Sequence, residues 1–285
     1  MLKAAVIQTR TGIDRDENLA AVTDLIRSAA EAGAALISTP EMTTLLDQDA
    51  ARLHASLQDE QATDEVAHFT ALADELGAVL HIGSMPVRVE TESASPRIAN
   101  RAHVFAPGSG LVATYDKIHL FDVDLPSGEA WHESAKVAGG EEAVLVETSL
   151  AKIGLSICYD LRFAHLFRAL AQAGAQILTI PAAFTRSTGA AHWEVLLRAR
   201  AIETGSFVLA AAQGGVHADG RATYGHSMII DPWGRILAEK PDEEPGFLLA
   251  ELDLTALEDI RARLPSLSLD RPFRLRTYKQ LSNTR

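Results

Sequence analysis

Cys158 is the only cysteine among the 285 residues, and it lies where a buried strand is predicted to turn into a helix. Residues 152–157 are rich in Ile and Leu, as buried strands are, and apolar residues recur at helical spacing from Phe163 to Ala171. The free N–H groups of the turn between them favour a thiolate at Cys158. The stretch therefore predicts a thiol nucleophile, although a free cysteine is more commonly a small buried hydrophobic residue.

Two charged residues lie just beyond other predicted strands. Glu41 follows the strand at 35–38, and Lys117 follows the strand at 111–115. Glu41 could take the thiol proton and later return it to a leaving amine. Lys117 and the backbone N–H of Tyr159 could hold the oxyanion of the tetrahedral adduct. Either charged residue alone is more typical of a solvated surface, so it is their joint placement that indicates a site.

Strands and helices alternate along the chain, which is typical of an α/β fold. Apolar runs predict strands at 3–9, 35–38, 79–85, 100–105, 111–115, 143–146, 152–157, 177–180, 207–212, 226–230 and 247–252. Amphipathic periodicity predicts helices at 18–32, 65–76, 190–204 and 254–263, and one directly after Cys158. Residues 118–140 show no sustained period, which predicts a long ordered loop or lid.

Residues 31–41 and 172–182 share one pattern: a helix end, a glycine, an apolar strand and a proline. This repeat predicts two related halves. In each half the strand delivers a residue just past a proline at its carboxyl end, where open α/β sheets form their sites. The first half places Glu41 there, and the second places Ala182. A common connection between helix and strand that arose twice by chance is the alternative.

The length and composition suit one large globular domain, and the length also allows two. The chain has 47% hydrophobic residues, with no linker-like tract and no block of like charges, so we expect a single domain with a short C-terminal tail. The single cysteine rules out an internal disulfide, and neither a signal-peptide region nor a membrane-length apolar span occurs. We therefore expect a soluble cytoplasmic protein. A net charge of -12 opposes binding to nucleic acid or anionic membranes, which leaves a small molecule or a protein as partner.

Three blocks of sequence resemble the catalytic blocks of a known family in order and spacing. The blocks are STPE at 38–41, YDKIHLFD at 115–122 and ICYDLRF at 157–163. Through these blocks the chain resembles the nitrilase, or carbon-nitrogen hydrolase, superfamily. The resemblance implies a catalytic triad of Glu41, Lys117 and Cys158, and it implies that Glu133 supports the triad.

The same resemblance implies the architecture and the assembly. We expect a four-layer αββα sandwich of nitrilase type over residues 1–263, with pseudo-two-fold halves, packed as a homodimer. The tail at 264–285 is expected to cross the dimer interface, with a frayed terminus as the alternative. We expect no cofactor and no metal, because the sequence has no phosphate-binding loop and no histidine pair with zinc-site spacing.

The residues around and beyond the cysteine resemble the amidase branch of the superfamily. Tyr159-Asp160 fits that branch, and residues 192–204, 210–213 and 224–234 resemble deaminated-glutathione amidases. Omega-amidases, which act on 2-oxoglutaramate, are the near neighbour. We expect hydrolysis of the primary amide of a small carboxylated substrate to acid and ammonia through a thioester. A catalytically silent binding subunit of this fold is the alternative of another class.

A protein with this much negative charge needs a local cation to accept a carboxylated substrate. Arg162, four residues after the nucleophile, is the first candidate, and Arg186, in the loop after Phe184, is the second. Arginine suits this task because its fork binds a carboxylate with two parallel bonds. We place Phe184 in the same substrate site. A structural ion pair is an equally good interpretation of Arg162, and a solvated loop position is the alternative for Arg186.

Overall fold

The computed structural model describes residues 1–57, 64–89, 97–124, 128 and 130–278. The strands, in chain order, are β1 (Leu2–Gln8), β2 (Leu36–Ser38), β3 (Val79–Val89), β4 (Arg97–Ala106), β5 (Gly110–Asp116), β6 (Asp122–Asp124), β7 (Ala130–His132), β8 (Val137–Ala138), β9 (Leu145–Glu147), β10 (Lys152–Leu155), β11 (Ile177–Thr179), β12 (Phe207–Ala210), β13 (Gly214–Val216), β14 (Ala222–Tyr224), β15 (Met228–Ile230), β16 (Ile236–Glu239) and β17 (Gly246–Leu252). The helices are α1 (Arg15–Glu31), α2 (Ala50–Ser56), α3 (Asp64–Leu76), α4 (Ala164–Gln172), α5 (Arg186–Thr204) and α6 (Ala256–Arg263).

Two large sheets repeat one strand order. The first sheet runs β17-β1-β2-β3-β4-β5, with β8 beside β4, and the second runs β9-β10-β11-β12-β15-β16. In each sheet the second, third and fourth strands are parallel, and their outer neighbours on both sides are antiparallel. Strand β2 thus corresponds to β11, and both belong to the repeated sequence pattern. The two predicted halves are confirmed.

The two sheets lie face to face, and helices cover their outer faces. Strand β1 shows the arrangement: Leu2, Ala4 and Val6 belong to the apolar core between the sheets, whereas Ala5 and Ile7 pack with α1 and α3. Helices α4 and α5 pack on the outer face of the second sheet. The layers follow in the order helix, sheet, sheet, helix, which confirms the predicted αββα sandwich.

The ends of β2 and β11 meet against Gly83 of β3. A Cβ atom at residue 83 would lie 2.1 Å from the Thr39 carbonyl oxygen and 2.4 Å from Cβ of Pro181. Both contacts are closer than real Cβ atoms allow, so only glycine lets the three strands approach each other here. Because Pro40 and Pro181 are the two prolines of the repeat, this approach sets the residues that follow them, Glu41 and Ala182, against each other.

Short elements account for most differences between the predicted and observed elements. Part of the predicted loop at 118–140 forms the hairpin of β6 and β7 and the short strand β8, while residues 125–127 and 129 lie outside the described residues. Helix α5 begins at Arg186, four residues earlier than predicted, because the Thr185 side chain caps it by accepting the Thr188 N–H. The missed strands β6, β7 and β8 have only two or three residues each, too few for an apolar run or a period to show in the sequence.

The tail after α6 folds back on α4 before it extends into solvent. Arg168 of α4 donates a hydrogen bond to the Ser266 carbonyl at 3.0 Å and forms an ion pair with Asp270 at 3.2 Å. Four large apolar side chains then stand 69 to 90% exposed: Leu269, Phe273, Leu275 and Tyr278. Residues 279–285 of the predicted tail lie outside the described residues. No helix in the described part of the chain is long and apolar enough to cross a membrane.

Candidate active site

Glu41, Lys117 and Cys158 line one cavity, and each follows a strand that delivers it there. Glu41 follows β2, Lys117 follows β5 and Cys158 follows β10. The Nζ atom of Lys117 lies 3.0 Å from Oε1 of Glu41, and burial and the charge of the same carboxylate raise the pKa of the Cys158 thiol. All three side chains are buried. The three residues singled out in the sequence therefore meet at one site.

The backbone at Cys158 is strained. Its φ of 49° lies in the left-handed region, which costs a residue other than glycine about 1–3 kcal/mol. The Cys158 N–H holds this conformation by donating to the Pro181 carbonyl at 2.8 Å. A 3-10 turn over Cys158–Arg162 follows, and α4 begins only at Ala164. The sulfur thus stands at a bend after a strand, as the sequence predicts.

Hydrogen bonds to Asp160 connect this turn to the segment that carries Lys117. The Oδ2 atom of Asp160 accepts hydrogen bonds from the Ile157 N–H at 2.8 Å and the Tyr115 hydroxyl at 2.7 Å. Its Oδ1 atom accepts the His119 N–H at 3.0 Å. Since Tyr115 and His119 stand on either side of Lys117 in the chain, one fully buried carboxylate fixes the position of the nucleophile relative to the cation.

Two carboxylates hold Lys117 between them. Besides its contact with Glu41, the Lys117 Nζ atom lies 2.8 Å from Oε2 of Glu133. The Asn100 amide donates to Oε1 of Glu41 at 2.9 Å, and the Phe121 N–H donates to Oε2 of Glu133 at 2.6 Å. Burial lowers the pKa of Lys117, but the charges of Glu133 and Glu41 outweigh that effect and raise it well above its ordinary value. The lysine is therefore a fixed positive charge.

The same charges set where the nucleophile's proton resides. Burial raises the pKa of the Cys158 thiol well above its ordinary value, and the adjacent Glu41 carboxylate raises it further. Burial alone would also raise the pKa of Glu41, but the charge of Lys117 and the hydrogen bonds donated to this carboxylate outweigh it and lower the pKa. The resting pair is a neutral thiol and an ionised carboxylate. The expected thiolate is thus wrong for the resting site, because the sulfur is buried beside a negative charge.

The backbone N–H of Tyr159 is free. Among the described residues it has no acceptor, while its neighbour Cys158 donates to Pro181 and Asp160 donates to Ile157. It belongs to the first turn after the nucleophile, where N–H groups lack a partner within the turn. Together with Lys117 it supplies two donors next to the sulfur, the arrangement needed to stabilise an oxyanion.

The cavity around these groups has a volume of about 400 Å³ and is lined in part by aromatic rings. Phe184 and Arg162 both line it, and the Arg162 guanidinium lies 5.4 Å from the Phe184 ring centroid. No carboxylate in the described part of the chain pairs with Arg162; its one hydrogen-bond partner is the His192 ring, at 3.3 Å. Within the described residues, no three His, Cys, Asp or Glu side chains are grouped as metal ligands.

The sequence profile of the carbon-nitrogen hydrolase family matches residues 3–262. The chain belongs to this family. It is 43% identical over 271 residues to the deaminated glutathione amidase of Homo sapiens, covering 94% of this chain and 82% of the relative. It is 40% identical over 266 residues to the deaminated glutathione amidase of a Synechocystis strain, covering 93% and 96%.

Solved structures agree with the sequence relatives. The NitFhit protein of C. elegans superposes with a TM-score of 0.84 at 33% identity over 95% of this chain, and the chain spans 65% of that protein's length. As a carbon-nitrogen hydrolase, the protein is an enzyme that acts on amides. The family and the amidase activity predicted from the three sequence blocks are confirmed.

The second predicted cation of this carbon-nitrogen hydrolase lies elsewhere. Arg186 pairs through both arms of its guanidinium with the carboxylate of Glu243, with Nε 2.8 Å from Oε1, and it does not line the cavity. The structure thus corrects the prediction that Arg186 contacts the substrate, because the charge of Arg186 is already matched by Glu243. Arg162, in contrast, lines the cavity.

Three groups that hold Glu41 were missed in the sequence. Besides Asn100, the Ala183 N–H donates to Oε2 of Glu41 at 2.9 Å, and the Gln213 amide donates to the Glu41 carbonyl at 2.9 Å. Asn100 could have been noticed as a polar side chain within an apolar strand. Ala183 follows the second proline of the repeat, so the repeat was the available signal for it. Gln213 ends the block at 210–213 that resembles deaminated-glutathione amidases, but that resemblance gives it no role.

Proposed function

We propose that this carbon-nitrogen hydrolase cleaves the amide of a small carboxylated substrate through a thioester on Cys158. The observation that carries the proposal is a buried thiol that lies in one cavity with a carboxylate and a lysine, with Nζ of Lys117 3.0 Å from Oε1 of Glu41. Cys158 attacks the carbonyl carbon while Glu41 takes the thiol proton. Lys117 and the Tyr159 N–H stabilise the oxyanion, and Glu133 holds Lys117 without exchanging protons.

Glu41 serves both halves of the reaction. It returns the proton to the leaving nitrogen, the carbon-nitrogen bond breaks, and the acyl group stays on the sulfur. Water then attacks the thioester and loses its proton to Glu41. The carbon-sulfur bond breaks, the sulfur takes the proton back from Glu41, and the acid leaves. The site ends in its starting state, with a neutral thiol beside a carboxylate.

Deaminated glutathione is the substrate that we favour. Relatives of that name, Arg162, which has no carboxylate partner among the described residues, and a cavity of about 400 Å³ support it, because such a volume suits a ligand of this size. This substrate corrects one expectation from the sequence. Both amide bonds of deaminated glutathione are peptide bonds, so cleavage next to its oxo-acid part releases the amine cysteinylglycine instead of ammonia.

A comparison of two substrates tests the assignment. 2-Oxoglutaramate is the second candidate, since it carries the same oxo-acid end for Arg162 and releases ammonia. We expect a higher kcat/KM for deaminated glutathione, measured as release of the free amino group of cysteinylglycine, than for 2-oxoglutaramate, measured as ammonia. The reverse order would identify an omega-amidase. Absence of hydrolysis across a panel of amides would favour the silent binding subunit.

We further propose a cytoplasmic homodimer in which residues 1–263 form one domain and the tail at 264–285 crosses the interface. Pairing of β17 with β1 along their whole length supports one domain, and the exposed apolar residues of the tail support a partner surface. The net charge of -12 supports an enzyme without nucleic-acid or membrane partners.

Light scattering should give a dimer for the full chain and a monomer for a chain truncated after Arg263. A full-length monomer would exclude the dimer, and equal dimers would exclude a role for the tail.

A further inference from the structure

Two nitrogen atoms at the cavity have no hydrogen-bond partner among the described residues. They are Nε of Arg221 and Nε1 of Trp131, and both atoms are buried. The Arg221 guanidinium lies over the Trp131 ring, 5.2 Å from its centroid. A buried donor without an acceptor is unfavourable, whereas an acceptor delivered by a ligand would satisfy it. Both side chains also line the cavity, so a molecule bound there would lie beside this pair.

The neighbouring carboxylate of Asp219 leaves Nε of Arg221 without a hydrogen-bond acceptor among the described residues. Oδ2 of Asp219 lies 3.4 Å from Nη2 of Arg221 but accepts no hydrogen bond. Its Oδ1 atom accepts the Arg221 backbone N–H at 2.9 Å, which holds Asp219 in the turn between β13 and β14. The Asp219 side chain is only 2% exposed. Arg221 therefore keeps a donor free even though an anion is fixed beside it.

A series of aromatic rings connects this pair to the nucleophile turn. The ring centroids of Trp131 and Phe121 are 6.4 Å apart, and those of Phe121 and Tyr159 are 5.1 Å apart. The Arg162 guanidinium lies 5.8 Å from the Tyr159 ring centroid. Arg162 and Arg221 thus stand at the two ends of this series, with the residue after the nucleophile between them. An amide cleaved there could carry one anionic group toward each arginine.

We propose that Arg221 and Trp131 form a second carboxylate subsite, which binds the terminal carboxylate of a short peptide leaving group. This rests on the proposed function, in which the leaving group is an amine and Arg162 binds the acyl part. An extended leaving group of two residues spans about 7 Å and ends in its carboxylate. The guanidinium fork suits a carboxylate, and the indole N–H adds a third donor. The subsite selects peptidyl amides over primary amides.

Binding to Cys158→Ala protein, which does not consume its ligand, tests the subsite. The ligands are deaminated glutathione and the same molecule with its terminal carboxylate converted to a carboxamide, compared by calorimetry. We expect the acid to bind about tenfold more tightly than the carboxamide, as one charge-assisted contact allows. In the Cys158→Ala, Arg221→Gln double variant this ratio should fall to about one. Trp131→Phe, which keeps the ring and removes the N–H, should reduce the ratio in part.

Lys136→Gln is the control matched in charge. Lys136 also lines the cavity, but its Nζ atom already donates to the Gln48 carbonyl at 3.0 Å, so its loss should leave most of the ratio intact. The subsite is overturned if the ratio survives Arg221→Gln, or if Lys136→Gln abolishes it equally. Equal weakening of both ligands together with a lower Tm would assign Arg221 to the hairpin and also overturn it. Failure of the proposed function is seen separately, as no turnover by the unmutated enzyme.

Discussion

At the scale of single residues, one proton shared by Cys158 and Glu41 decides the chemistry. Glu41→Gln keeps the shape of the side chain but removes the base, so kcat should fall by about 10²-fold or more. If acylation is the less impaired half, intact-mass measurement after mixing with substrate should show an acyl group on Cys158. Glu251→Gln, the same change at an exposed position of β17, is the control and should leave kcat unchanged. Full activity of Glu41→Gln would remove Glu41 from the mechanism.

The protonation states also predict the acid side of the pH profile. Glu41 must be ionised to act as a base, and its pKa is lowered from the ordinary 4.5, despite its burial, by Lys117 and by donated hydrogen bonds. The acid limb of kcat/KM should therefore have its midpoint below 4.5. Lys117→Met removes the charge that lowers this pKa, so the limb should move to higher pH while kcat falls by about 10²-fold. An unshifted limb in this variant would assign the limb to another group.

The residues that sequence could identify are those that carry their own chemistry at strand ends. Glu41, Lys117 and Cys158 belong to this class, whereas Glu133 was implied only by the family resemblance. A backbone N–H, such as that of Ala183, has no sequence signature, and its part in the site depends on how the two sheets meet. The prediction for Arg186 failed because its partner, Glu243, lies 57 residues further along the chain, so no local pattern reveals the pairing.

At the scale of elements, the crowded crossing at Gly83 should be sensitive to a single methyl group. In Gly83→Ala the new Cβ would collide with main-chain oxygens of Thr39 and Pro40, which cannot move without displacing Glu41. We expect a loss of about 3 kcal/mol or more in the free energy of unfolding, measured by urea denaturation, together with reduced kcat. At Gly12 a Cβ would meet only ordinary contacts of 3.6 and 3.7 Å, so Gly12→Ala is the control. Equal stability of the two variants would show that β2 and β11 can separate at little cost.

Long elements and the short apolar strands β2 and β11 were predictable, whereas the short hairpins were not. Helices α1 and α3 and strands β1, β4 and β17 are long enough for their apolar period to show. The hairpin of β13 and β14 has three residues on each side, and its pairing depends on contacts that no local pattern encodes. Arg221 follows the turn of that hairpin, so its place at the cavity was missed for the same reason.

At the scale of the whole molecule, two buried histidines should make the fold sensitive to acid. Burial lowers the pKa of His81 to about 3 and that of His103 to about 4. The unfolded chain binds protons at these residues below the ordinary 6.5, whereas the folded chain does not, so their contribution is fully present above 6.5 and is lost as pH falls. We expect the free energy of unfolding to fall by about 1 kcal/mol per histidine between pH 6.5 and 5.5.

Denaturation at several pH values measures this effect. His81→Gln should flatten the dependence even if it lowers stability at neutral pH, because Gln does not titrate. The exposed His165→Gln is the control and should leave the slope unchanged. A slope that is the same in all three proteins would mean that other groups cause the loss in acid.

The hydrogen bond from the Ala183 N–H to Glu41 joins residues 142 positions apart. Contacts between residues so distant in sequence require a large loop to close, and they slow folding. Neither half of the chain can complete the base that activates the sulfur, so a folding intermediate with only one formed sheet has no catalyst. During refolding, the return of turnover should therefore lag behind the return of secondary structure. The rate at which activity returns would then report how fast the two sheets dock.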